Sequence, residues 1–229
     1  MAGDYLFMLL IAAGIIAGLI IYYYNDVYKR RNLANNLSTN IMPGKTFEYV
    51  KLPEKYTNYE VKGVVNNYEW KLQEIFNREN DQFTNNVHHD YIKFSADLNK
   101  NPHTIFIHKK LGNVTKQELF EHIQDFFFEG RILNPEVDMQ VKEMNIVPYG
   151  STGDFIRNFY VFAKNKNSVK KVITELVEDV ITHDFKWCKN EELKIMILKD
   201  KLVIKTYTTV NPVEIKSIIR LGEKLLDYL

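Results

Sequence analysis

With 229 residues, 45% of them apolar and 13% aromatic, the chain is long and apolar enough to bury a substantial core. Its 30 basic and 29 acidic side chains leave a formal charge of +1, which excludes the strong basic field that recruits nucleic acid. Cys188 is the only cysteine, which excludes an intramolecular disulfide and agrees with a reducing compartment.

The first expected element is a membrane span. Tyr5 to Tyr24 carries no charge and is bounded by Asp4 and by Asn25-Asp26. A helix of that length covers about 30 Å, the thickness of a bilayer's hydrocarbon core. A cleaved signal peptide needs a basic stretch ahead of its apolar run, and MAGDY offers an acid instead. Lys29, Arg30 and Arg31 follow the run and nothing basic precedes it except the terminal amine. Positive flanks stay in the cytosol, so the expected topology is single-pass, with the N-terminus outside and the remaining chain cytoplasmic. Tyr22, Tyr23, Tyr24 and Tyr28 suit the headgroup layer.

Within the run, Gly14 and Gly18 form GxxxG, and Ala13 and Ala17 repeat the small-residue spacing beside them. Such a strip lets two membrane helices approach closely. It is read as a candidate contact for a second copy or for another transmembrane subunit, against the alternative of inert spacing.

Residues 1–31 are thus expected to be the anchor with its basic flank, 32–45 a linker, and 46–229 a cytosolic domain with a candidate subdomain boundary near 130–150. The start of NLANNLSTNIMPGK can continue the membrane helix, and Pro43-Gly44 breaks it. Gly44-Lys45-Thr46 suggests a phosphate loop, but position 39, where the leading glycine belongs, is Thr.

Period-two stretches follow: FEYVKL, YEVKGVV and YEWKLQEIF, the last two joined by Asn66-Asn67, which tolerate the positive φ of a tight hairpin. HDYIKFSAD and HTIFIHKK predict two more strands with Asn99 to Pro102 turning between them. Thr115 and Glu118 open a helix that Gly130 ends. VDMQVKEMNIV is a strand candidate, PYGSTGD a loop and RNFYVFAK a strand. A helix after Asn167-Ser168 carries Val169, Val172, Ile173, Leu176, Val180 and Ile181 on one side. ELKIMIL and LVIKTYT predict a hairpin around Lys199 to Lys201, and Asn211-Pro212-Val213-Glu214 opens a last helix with Ile215, Ile218, Ile219, Leu225, Leu226 and Leu229 on its apolar side. The fold class is α+β: an N-terminal transmembrane helix followed by a mainly antiparallel sheet with about three amphipathic helices.

FYVFAKNKNSVKKVITELVEDVI, followed by ELKIMILKDKLVIKT and a helix, resembles the C-terminal part of a family of prokaryotic membrane-anchored domains of unknown function. YEVKGVVNNYEWKL is similar to their earlier strand pair. The resemblance implies a membrane-anchored domain and brings no catalytic residues.

No reactive constellation converges. His88 and His89 fall on opposite faces of a strand, as do His103 and His108, and no metal motif adds ligands, so exposed histidines without a metal are expected. Cys188 beside Trp187 reads as a buried apolar side chain. Gly150 to Asp154 offers an amide nest for an anion but reads better as a turn. The expectation is a tethered scaffold or assembly subunit with a cytosolic protein partner, without catalytic, cofactor or metal residues. The alternatives are a membrane enzyme with a dispersed site and a lipid- or ligand-sensing module.

Overall fold

The computed structural model describes residues 2–37, 40, 42, 57–75, 91–99, 103–110, 144–150, 152–184, 193–207 and 211–229. The expected strand FEYVKL, the Thr115–Gly130 helix, His88, His89, Trp187 and Cys188 lie outside them.

The chain opens with helix α1 (Ala2–Tyr22), a π-helical segment (Tyr23–Tyr28) and helix α2 (Lys29–Asn36). Next come strands β1 (Thr57–Val65), β2 (Tyr68–Ile75), β3 (Tyr91–Asp97), β4 (Ile105–Lys109) and β5 (Asn145–Ile146). Then follow helix α3 (Gly153–Asn158), strand β6 (Phe159–Ala163), and helices α4 (Lys166–Val172) and α5 (Glu175–Asp184). Strands β7 (Lys194–Ile197) and β8 (Lys201–Tyr207) and helix α6 (Pro212–Tyr228) complete it. The class is α+β with a mainly antiparallel sheet, and every described strand pairing is antiparallel.

The sheet has eight strands in the order β1-β2-β3-β8-β7-β4-β6-β5. Asn66 and Asn67 take φ of 47° and 68°, the left-handed pair that lets two residues reverse the chain between β1 and β2. The turn is tied down by Asn66, whose amide donates to the Asp227 carboxylate of α6 at 2.7 Å. β3 and β4 are not neighbours. The β7–β8 hairpin lies between them, closed by Leu198 N donating to the Lys201 carbonyl at 2.7 Å.

The core lies on the face covered by α6. There Leu72, Ile92, Phe94, Ile204 and Leu202 meet Ile215, Ile218, Ile219 and Leu225, all essentially without solvent contact. Asn211 accepts from Val213 N at 3.0 Å, Pro212 opens the first turn and Glu214 follows, so the expected cap forms. Two glycines bracket an aromatic stack inside this core. Trp70 and Phe94 lie 5.3 Å apart, nearly parallel. A Cβ at Gly63 would sit 2.9 Å from Trp70 Cη2 and nearer to other ring atoms; one at Gly222 would sit 2.6 Å from Phe94 Cε2 and nearer to others. Only glycine lets β1 and α6 close on the pair.

Three expectations need correction. The helix expected after Asn167-Ser168 is two helices, because Ile173 takes an extended φ of −93° and ψ of 93° between α4 and α5. Asn165 caps the first, accepting from Ser168 N at 2.9 Å, and Thr174 accepts from Val177 N at 3.4 Å. The break resets the helical phase, so Leu176 is exposed while Val177 and Glu178 turn inward. PYGSTGD ends in a helix start: Thr152 caps α3, its hydroxyl accepting from Phe155 N at 3.3 Å. His108, expected at the surface, is buried beside Phe106.

Candidate functional site

α1 is an apolar helix without a cover. At about 100° per residue, Phe7, Met8, Leu9 and Leu10 point to four different sides, yet all are 65–69% exposed. Leu19, Ile20, Ile21 and Tyr22 repeat the pattern further along. The principal contact of α1 is with its own π-helical continuation. Among the described residues, no helix is long and apolar enough to cross a membrane.

Ala13, Gly14, Ala17 and Gly18 are exposed, and a Cβ added at either glycine would meet nothing within 4 Å. Tyr22, Tyr23 and Tyr24 are exposed too; Tyr24 stacks on Tyr28 at 5.4 Å, and the Lys29 ammonium lies 5.7 Å from the Tyr24 ring centre. Arg30 and Arg31 belong to α2, with their side chains outside those described. Beyond them the helix turns inward: Leu33 and Leu37 join the core cluster of the α+β domain, and α2 packs on β1.

The sheet face turned away from α6 carries the second feature, which the sequence did not announce. Its rows are set by the register. One runs Glu60, Gln73, Lys93, Lys205, Lys194, His108 and Tyr160; the next runs Lys62, Lys71, Ser95, Val203, Met196, Phe106 and Phe162. Over β4, β6 and β7 the face is apolar and buried, with Phe106, Phe162 and Met196. Over β1, β2, β3 and β8 it becomes cationic.

There a cavity of about 580 Å³ is lined by Lys62, Lys71, Ser95, Asp97 and Lys201 among others. Ser95 is 2% exposed, and its hydroxyl meets no hydrogen-bond partner among the described residues. Lys93 has a pKa lowered from the usual 10.5 to about 8, mainly by burial and then by the charges of Lys205, Lys201 and Lys71. Lys205 lies over the Tyr91 ring at 4.4 Å from its centre. Two carboxylates, Glu69 and Asp97, line the cavity together with the lysines. Glu60 holds Lys62 at 2.8 Å and Gln73 at 2.6 Å, and Asp97 lies 3.9 Å from Lys201.

A smaller cavity of about 390 Å³ lies between α3 and α5, lined by Thr152, Asp154, Arg157, Asp179, Thr182 and His183. One bond ties α5 to the start of α3, another lies within α3, and the Thr182 hydroxyl is buried with no partner among the described residues. Buried Glu178 accepts from Thr152 N at 3.0 Å, and Arg157 bonds Asp154 at 2.7 Å. Burial and then the Glu178 charge push the Tyr149 phenol upward, and its hydroxyl donates to the Ile173 carbonyl at 2.8 Å. Among the described residues, no group of three or more His, Cys, Asp or Glu side chains is placed to hold a metal ion.

No protein-family model matches the chain. No curated protein matches it. Among solved structures it is similar to the crystal structure of the mycobacterial trehalose monomycolate transport factor A, TtfA, with a TM-score of 0.46 and 10% identity over 88% of this chain and 94% of that one.

Proposed function

We propose that this protein is a single-pass membrane-anchored scaffold or assembly subunit, with α1 in the bilayer and the α+β domain presented on the cytosolic side. The observation that carries the reading is the uncovered circumference of α1. A helix that is apolar on all sides is at home in a protein core or a membrane, and α1 packs chiefly on its own continuation. Taken as a backbone, α1 has 21 residues and extends about 31 Å, which matches a hydrocarbon core. The exposed tyrosines and Lys29 at its end support a headgroup position, and the basic residues of α2 support a cytosolic C-terminal side. Gly14 and Gly18 leave open space for a second helix, from another copy or another membrane subunit. Because α2 is docked by Leu33 and Leu37, the domain would be held at a set angle near the surface rather than on a free tether.

Alkaline carbonate extraction of membranes, with protease added to intact cells, tests the reading. The chain should stay in the membrane pellet and its domain should survive the protease. Release into the carbonate supernatant would remove the anchor, and digestion from outside would reverse the topology. Copurification in mild detergent then identifies the subunit being assembled; a protein that comes out alone and monomeric would contradict the scaffold role.

A further inference from the structure

The larger cavity holds charges of both signs: Lys62, Glu69, Lys71, Asp97 and Lys201 all line it, with Ser95 among them. Two ion pairs take up most of these charges. Lys62 is bound to Glu60 at 2.8 Å, and Asp97 lies 3.9 Å from Lys201. Lys71 and Glu69 stand outside both pairs. They are two residues apart on β2, exposed on the same face, with their backbones about 7 Å apart. Each has a defined neighbour across the β2–β3 ladder. Ser95 faces Lys71, and continuing the register past Trp70 and Ala96 brings Asp97 opposite Glu69. Facing side chains start about 5 Å apart, within reach of one bridging group. Ser95 is buried, and its hydroxyl has no hydrogen-bond partner among the described residues. Buried hydroxyls are normally bonded, so a ligand group that reaches Ser95 from the cavity would satisfy it.

The arrangement is dipolar. An anion alone would meet Lys71 and Ser95 but also Glu69 and Asp97, and a cation alone would meet the reverse. A molecule with one charge of each sign, separated by the spacing of the two rows, suits both. We propose that this cavity binds a small zwitterion of the ω-amino-acid class. Its carboxylate accepts from the Lys71 ammonium and the Ser95 hydroxyl, and its own ammonium donates to Glu69 and Asp97. Four methylenes between the two groups span about 6 Å, which matches the rows; an α-amino acid carries both groups on one carbon and engages one row at a time. Val64 faces Glu69 across the β1–β2 ladder and lines the cavity, an apolar wall for the methylenes. The site stands on the sheet register alone and is independent of the membrane reading.

Isothermal titration calorimetry on the full chain in mild detergent at pH 7, with 5-aminopentanoate as the probe, tests the proposal. Pentanoate keeps the carboxylate without the ammonium, pentylamine the reverse, and glycine carries both charges at the wrong spacing. Each comparator forfeits a charge-assisted contact and should bind about tenfold more weakly than the probe. Glu69→Gln should weaken the probe about tenfold without weakening pentanoate, and Lys71→Gln should weaken it similarly without weakening pentylamine. Both side chains are exposed, so the two variants should keep the circular dichroism of the wild type. Ser95→Ala should weaken the probe and pentanoate and leave pentylamine unchanged. The proposal is overturned if 5-aminopentanoate does not bind, or if pentanoate, pentylamine or glycine binds as tightly. Binding that persists undiminished in the Glu69→Gln, Lys71→Gln double variant would place the ligand elsewhere and overturn it too.

Discussion

Replacing Gly222 with Ala should destabilise the domain, although Ala is the better helix former. Helix propensity favours Ala by about 1 kcal/mol. Against that, the new methyl would lie 2.6 Å from Phe94 Cε2 and nearer to two other ring atoms, where carbon contacts prefer about 3.5–4.0 Å. The ring cannot retreat. Phe94 is fully buried and stacked on Trp70, and Trp70 is pressed in turn on the Gly63 backbone. Overpacking of this kind reaches about 3 kcal/mol, so the net loss should be about 2 kcal/mol. With a urea dependence of about 2 kcal/mol per molar, the unfolding midpoint should fall by about 1 M. Trp70 fluorescence, measured in mild detergent, reports the transition from inside the stack. In a Phe94→Leu background the ring is gone and only propensity remains, so the same change should stabilise by up to about 1 kcal/mol. Equal effects in the two backgrounds would refute the account.

Lys93→Met should make the protein more stable at pH 7. The unfolded chain holds the Lys93 proton up to about pH 10.5 and the folded one only to about 8, so the folded state is penalised below pH 8 and recovers between 8 and 10.5. The penalty approaches about 3 kcal/mol, and the difference between wild type and variant in urea melts should vanish near pH 10.5; a variant less stable at pH 7 would contradict it. Glu178→Ala strips Thr152 N of its buried acceptor and should cost about 2 kcal/mol, with the Tyr149 phenol ionising at lower pH by NMR titration. Gly14→Ile with Gly18→Ile should weaken crosslinking between membrane helices while leaving carbonate resistance intact; unchanged crosslinked bands would reduce the two glycines to spacing.

How much the sequence disclosed depended on how local the determinant was. Asn66-Asn67 and Asn211-Pro212 act within a few residues, and both formed as read. The helix break at Ile173 was hidden because its apolar residues fit one continuous stripe; only Thr174, a cap for α5, signalled it. Burial of His108 depends on neighbours from β6 and β7, far away in sequence. The cationic face was invisible for the same reason. Each lysine occupies an ordinary wet position on its own strand, and only the register across four strands sets them opposite one another. The short connection between β3 and β4 says nothing of what the strand order shows, that the two strands are not neighbours.

That strand order also sets a timetable. β1 to β3 form one three-stranded block and β4 to β6 another, and the β7–β8 hairpin joins them. The hairpin is synthesised roughly a hundred residues after β3, a delay of about 5–20 s at ordinary translation rates. Until it arrives, both blocks have an inner edge ready to pair with the wrong strand. The two pairings that dock the hairpin, β3 with β8 and β4 with β7, are both long-range, which makes docking a slow step. A chain stalled or trimmed before Lys194 would therefore be two open sheets rather than a smaller version of the domain, and quality control would have the two exposed edges to recognise.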